Sequence, residues 1–177
     1  MTDTLKRGRH TMSNLDRKPV RRVVEILASK AHSTSVVELE DTARSADDAA
    51  KALGVPVGAI VKTLLFVIIC EDTETPVIAL VSGDRQCNTA SLAPCLGMEG
   101  KVSRPNANQV KAMTGYSIGG VSPIGLPDDL TILMDASLAR FDTIWSAAGH
   151  PHCVFSSSFK ELCSLTGATV TDALTGS

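Results

Sequence analysis

Aromatic side chains are scarce: four Phe, one Tyr and one Trp in 177 residues. That excludes a surface that stacks many bases on rings, the device of RNA-binding sheets and single-strand platforms. The five cysteines (Cys70, Cys87, Cys95, Cys153, Cys163) are odd in number and never form C-x-x-C. Neither a complete disulfide framework nor a zinc ribbon is indicated, and reduced thiols in a cytoplasm are the expectation. Long hydrophobic runs are also missing. The longest, Ala59 to Cys70, has twelve residues with Lys62 inside it, against about twenty for a bilayer span. No secretory pattern is evident, so a membrane is not an expected partner. Thirteen Gly and eight Pro are too few for a collagen-like or low-complexity chain.

With 44% hydrophobic and 20% charged residues, the chain is expected to fold around a single core. Its net charge of -2 conceals an asymmetry. Residues 1–31 carry eight Lys or Arg against three acids, whereas the rest carry nine against sixteen. The positive arm suits an anionic partner such as a tRNA backbone, or is simply a solvated leader. Residues 1–18 lack an apolar period and are expected to be a basic, flexible leader, with residues 19–177 as one domain.

Pro19 suits a first helical turn, and Val20, Val23, Val24, Leu27 and Ala28 follow at helical spacing. Val36–Leu39 reads as a strand, and Ser45 with Asp48 starts a helix that Gly54 stops. Ala59–Cys70 and Pro76–Ser82 form an apolar hairpin around the polar turn 71–75. A short helix at Ser91–Leu96, a strand at Lys101–Arg104 and a helix from Asn106 to Thr114 precede one long irregular segment, residues 115–127. Strands at Leu130–Met134, Thr143–Ala147 and Cys153–Ser156, a helix at Ser158–Leu165 and a short tail complete the order. Strands with irregularly interspersed helices predict an α+β fold, a mixed β-sheet or open barrel-like core flanked by helices.

Lys62 stands out because its strand neighbours Ile60, Leu64, Phe66 and Ile68 are apolar. An ammonium there is either functional, paired inside a site, or carried to water at the sheet end on its aliphatic stem. The loop Gly119-Gly-Val-Ser-Pro-Ile-Gly125 packs three glycines, a hydroxyl and a proline into seven residues. Successive exposed amides in such a loop can hold a carbonyl oxygen or phosphate, and an ordinary turn-rich connection is the alternative. The loop fits neither a Walker phosphate loop nor the dinucleotide fingerprint. Ser122 lacks the G-x-S-x-G elbow, and four histidines give little basis for a serine triad. His150-Pro-His152-Cys153 clusters possible metal ligands but has no matching distant cluster. Asp135 ends an apolar strand, as a cap or as a site carboxylate, and Asp84-Arg85 reads as a turn with a surface ion pair. No residue announces itself as a strong nucleophile.

The segments Ala49–Pro56, Ile60–Leu64, Val81–Arg85, Thr114–Gly125 and Trp145–Gly149, taken in this order, resemble the YbaK/ProX group, which includes the editing insertion domain of bacterial prolyl-tRNA synthetases. The resemblance spans about residues 35–172. It implies a free-standing, cytoplasmic aminoacyl-tRNA deacylase that edits in trans, clearing a small amino acid (Ala, Cys, Ser or Thr) from a mischarged proline tRNA. Its implied partners are the acceptor end of aminoacyl-tRNA and prolyl-tRNA synthetase, with no DNA, no metal and no cofactor. The group's strand lysine falls on Lys62, beside Thr63, and its G-x-x-x-P loop on Gly119–Pro123. Lys62 would then contact an oxygen near the ester while main-chain groups of Gly119, Gly120, Val121 and Ser122 position the carbonyl. Thr63, Val121, Pro123, Asp135, Gly149 and His150 complete the expected binding set. Where the group usually continues with basic residues, this chain has His150-Pro-His152. The group's reaction borrows the substrate's ribose hydroxyl to help activate water, so no side-chain nucleophile is required. The competing readings are a module that binds an aminoacyl end or a protein without turnover, and a hydrolase of small esters unrelated to tRNA.

Overall fold

The structure, a computed structural model, describes residues 12–41 and 43–176. Most of the expected leader, residues 1–11, lies outside them. Residues 13–18 do not behave as a leader: Asn14–Asp16 form a 3-10 turn. Glu38 clamps that turn, accepting from Ser13 Oγ at 2.6 Å, Asn14 Nδ2 at 2.7 Å and the Asn14 amide at 3.0 Å. A distant carboxylate supplies this order, which no local apolar period could reveal.

Helix α1, Lys18–Ser29, has Pro19 in its first turn and buries Val20, Val23 and Leu27. Each such side chain contributes about 1.5–3 kcal/mol of burial. After β1, Val37–Glu38, helix α2, Ala46–Leu53, is capped by Ser45, whose side chain accepts from the Asp48 amide, and stops at Gly54 with φ +66°. Strands β2, Ile60–Cys70, and β3, Thr73–Ser82, form the hairpin. Its turn needs only two residues, with Glu71 at φ +52°, so β3 starts earlier than the polar sequence suggests. Helix α3, Leu92–Cys95, strand β4, Lys101–Ser103, and helix α4, Ala107–Thr114, follow. Strands β5, Thr131–Asp135, β6, Ile144–His150, and β7, Cys153–Ser157, lead to helix α5, Phe159–Thr166. The tail, not expected to be regular, adds β8, Thr169–Thr171, parallel to β5.

The fold is α+β: one mixed sheet ordered β1-β7-β6-β2-β3-β5-β8, with β4 also on β2 and helices against it. Apolar residues cover both faces of its central strands. Val61, Leu65, Ile78, Leu80 and Met134 pack with α1, α4 and α5 on one side. Phe66, Ile68, Val77, Ala79, Val81 and Leu133 pack with α3 on the other. Two-sided burial explains why β2 and β3 read as continuous apolar runs rather than alternating ones.

One discontinuity positions the site. β2 pairs with β3 along its whole length, but on its other edge it meets β6 only at Ile60 and Val61, and β4 only from Val67 to Ile69. Beyond Ser146, β6 breaks register with β7 between Ala147 and His150. Gly149, at φ +91°, lies so close to α1 that a Cβ would come within 2.7 Å of the Pro19 carbonyl oxygen. β6 thus peels away toward α1 and leaves residues 62–66 of β2 without a strand on the edge opposite β3.

Candidate active site

A cavity of about 430 Å³ opens along this gap. Its wall is mainly apolar, with Val61, Leu65, Val110, Val121 and Val154, and Lys62, Arg44 and Arg104 add positive charge. Asp47 is the one carboxylate among the described lining residues.

Lys62 is half-buried, and its ammonium donates to the Arg85 carbonyl oxygen in the turn after β3. Burial pulls its pKa below the ordinary lysine value, while Cys87, Asp84 and Asp47 act the other way. It therefore does not simply carry its charge out to bulk water on its stem. Asp84 does not pair with Arg85 as the sequence suggested. It binds Arg140 at 2.8 Å between side chains each about 40% exposed, a geometry that contributes little to stability. A second recess, of about 440 Å³, shares Lys62, Leu64 and Arg104 with the first and adds Phe66, Gln86 and Cys87.

The irregular loop is tied down by buried contacts. Tyr116, 1% exposed, donates from its hydroxyl to the Ile124 carbonyl oxygen at 2.8 Å, and Ile124 and Val121 are buried beside it. A Cβ on Gly120 would meet the His150 nitrogen and Cα at 2.8 Å, so the loop lies directly against the end of β6. Gly119 and Val121 line the cavity. The Gly120 amide is already donated to the Ser117 carbonyl oxygen at 3.0 Å, whereas nothing among the described residues accepts from the amides of Gly119, Val121 or Ser122.

Of the residues singled out in the sequence, the structure brings Lys62, Thr63, Gly119 and Val121 around one cavity. Gly120, Ser122 and Pro123 are buried behind the lining, and Ser122 Oγ accepts from the Ile124 amide at 3.3 Å. Asp135, 1% exposed, is not part of the wall. Its carboxylate accepts from the Ser137 amide at 2.9 Å, Ser137 Oγ at 2.7 Å, the Ser82 amide at 3.3 Å and Thr175 Oγ1 at 3.3 Å. Those bonds make it a strand-end cap that ties β3, β5 and the tail together. Gly149 and His150 lie beneath the loop rather than in the wall. Burial lowers the His150 pKa, its Nδ1 accepts from the His152 amide at 3.2 Å, and its ring stacks on that of His152 at 5.5 Å. Among the described residues, no group of three or more His, Cys, Asp or Glu could hold a metal ion.

One lining residue, Ser146, escaped the sequence reading altogether. Ser146 and Thr63 both carry buried hydroxyls without a hydrogen-bond partner in the described structure, and Thr63 had been noted only through the resemblance. Ser146 sits opposite Val61 on the neighbouring strand, a pairing that only the sheet reveals. Cys153 lines the cavity, but burial pushes its thiol up to about 11, so at neutral pH it is not a thiolate nucleophile.

The model of the aminoacyl-tRNA editing domain matches residues 40–165, and the chain belongs to that family. A solved structure described as a candidate trans-editing enzyme for prolyl tRNA synthetase superposes with a TM-score of 0.79 at 34% identity, covering 91% of this chain and 99% of that one. A candidate Cys-tRNA(Pro)/Cys-tRNA(Cys) deacylase, EbsC, of Enterococcus faecalis is 31% identical over 59% of this chain and 62% of its own length. The proline–tRNA ligase of Nitratidesulfovibrio vulgaris is 38% identical over 58% of this chain, which corresponds to only 17% of that much longer protein.

Proposed function

We propose that this protein is a trans-editing deacylase, hydrolysing the ester of a tRNA mischarged with a small amino acid, with proline tRNA as the carrier. The observation that carries the reading is that Lys62 lines one cavity of about 430 Å³ together with Gly119 and Val121 of the loop. The family match and the trans-editing neighbour support it.

Hydrolysis joins a water oxygen to the acyl carbon and breaks the bond from that carbon to the ribose oxygen. A proton from water passes to the departing ribose oxygen, giving free amino acid and intact tRNA. An aminoacyl ester is already activated, so orientation and stabilisation of the developing oxyanion supply most of the acceleration. The Lys62 ammonium supplies positive charge, and the uncommitted amides of the loop supply donors. The vicinal ribose hydroxyl of the substrate helps to activate water, in keeping with the high thiol pKa of Cys153. The apolar wall favours small acyl groups and excludes larger ones by size.

Purified protein incubated with tRNA(Pro) carrying Ala, Ser, Thr, Cys or Pro tests the reading. Deacylation of a small aminoacyl ester, lowered about 100-fold or more by Lys62→Ala, is expected. If no ester of the panel is cleared faster by the parent than by Lys62→Ala, the proposal fails. Tight, salt-sensitive tRNA binding without product would identify a binding module instead.

A further inference from the structure

Six consecutive residues of β2, Ile60 to Leu65, line the cavity. Strand side chains alternate between faces, so a cavity touching six in a row lies against the strand's edge and meets its main chain. The hydrogen-bond phase of the hairpin decides which groups it meets. Gly83 donates its amide to the Ile60 carbonyl oxygen at 2.8 Å, and the register continues through Val61↔Ser82, Lys62↔Val81 and Thr63↔Leu80. In an antiparallel ladder bonded pairs recur every second residue. Ile60, Lys62, Leu64 and Phe66 therefore turn their N–H and C=O groups toward β3, and Val61, Thr63, Leu65 and Val67 turn theirs away. Pro76, which has no N–H, sits opposite Val67, as this phase requires. Val61 finds β6 and Val67 finds β4. Thr63 and Leu65 find neither strand, and among the described residues no main-chain partner takes their place.

Resting on the deacylase reading, we propose that the main-chain carbonyl oxygens of Thr63 and Leu65 bind the α-ammonium group of the aminoacyl ester, so that the site selects acyl groups with a free amine. Two acceptors of this kind, on the same strand edge and two residues apart, face a cavity whose other wall is largely apolar. Leaving them unpaired there is costly. An ammonium brings three donors and no acceptor, the complement of carbonyl oxygens without a partner. The Lys62 ammonium donates to the Arg85 carbonyl oxygen, and among the described residues no hydrogen bond from it to Thr63 or Leu65 is formed. Asp47 is the only carboxylate in the described lining and offsets part of the repulsion between Lys62 and a bound ammonium. Ester polarisation stays with Lys62 and the loop amides, and the β2 edge holds the other end of the acyl group.

The best aminoacyl ester of the panel is compared with its 2-hydroxyacyl and deaminated counterparts on the same tRNA, which for alanine are the lactyl and propionyl esters. Neither adds bulk. Each kcat/KM is divided by the ester's own spontaneous hydrolysis rate, which removes the inductive effect of the ammonium. The ratio should fall about tenfold for the lactyl and about 100-fold for the propionyl ester. Equal ratios for all three overturn the proposal and leave the deacylase reading standing. If no ester turns over, the deacylase reading fails, and the edge is judged by the carbonyl 13C resonances of Thr63 and Leu65. Titration with 3'-alanylamino-3'-deoxyadenosine should move both, and its propionyl counterpart neither. No movement with the first compound, or equal movement with both, overturns the proposal.

Discussion

Burial acts on Lys62 and Cys153 with opposite consequences. It disfavours the charged form of each, so it lowers the pKa of the ammonium and raises that of the thiol to about 11. The lysine, bonded to Arg85, nonetheless has two protons free for an oxygen near the ester. Its charge, and on the proposed role of Lys62 the activity, should be lost as pH rises through its lowered pKa, earlier than an unperturbed lysine would allow. A 13Cε titration of Lys62 should have its midpoint below the ordinary lysine value; a midpoint at or above that value would remove the basis for this pH dependence. Cys153 should be dispensable for turnover: in Cys153→Ala we expect kcat within about threefold of the parent, with lower thermal stability because the thiol fills the core. A loss of 100-fold with intact folding would reinstate it as a nucleophile. At this scale Lys62 was legible because a charge interrupts an apolar alternation. Asp135 was legible only as a choice between strand-end cap and site carboxylate; the donors that decide for the cap come from Ser82, Ser137 and Thr175, two of them far away in sequence.

Among the elements, β2 carries the most information, because one strand is a paired ladder on one edge and an open site on the other. Amide exchange should register this directly. Lys62, Leu64 and Phe66, bonded to β3, should be protected, and Thr63 and Leu65 should exchange at least about tenfold faster. Uniform protection from 62 to 66 would mean that the gap is closed in solution. The loop is the second positioning element, and its contact with β6 depends on Gly120. In Gly120→Ala a Cβ would press on the His150 main chain at 2.8 Å, where no flexible side chain can yield. We expect a loss of about 1–3 kcal/mol in stability and at least a tenfold loss in kcat/KM, read by denaturant unfolding beside the deacylation assay. The helices and the central hairpin were readable because caps and apolar runs are local. The gap was not, since it follows from where β6 leaves β2, and the Gly149 bend says nothing about which strand is left uncovered.

For the molecule as a whole, a net charge of -2 makes affinity for a polyanion depend on where the few cations lie. Arg44 and Arg104 accompany Lys62 around the cavity, and Arg104 sits 5.8 Å from the Phe66 ring centroid. Residues 1–11 hold Lys6, Arg7 and Arg9 against Asp3 and precede the Ser13–Asp16 turn that Glu38 clamps. If both groups meet phosphates, their contributions separate in the salt dependence of tRNA binding, where each contact adds about 0.7–0.9 to the slope of log K against log salt. Arg44→Ala with Arg104→Ala should lower that slope by about one to two, and deletion of residues 1–11 by up to about two more. Lys62→Ala should reduce turnover far more than it reduces binding. The double variant keeping the parent slope would move the phosphate contacts away from the cavity rim, whereas a deletion that leaves the slope unchanged would leave the basic arm with no part in tRNA binding.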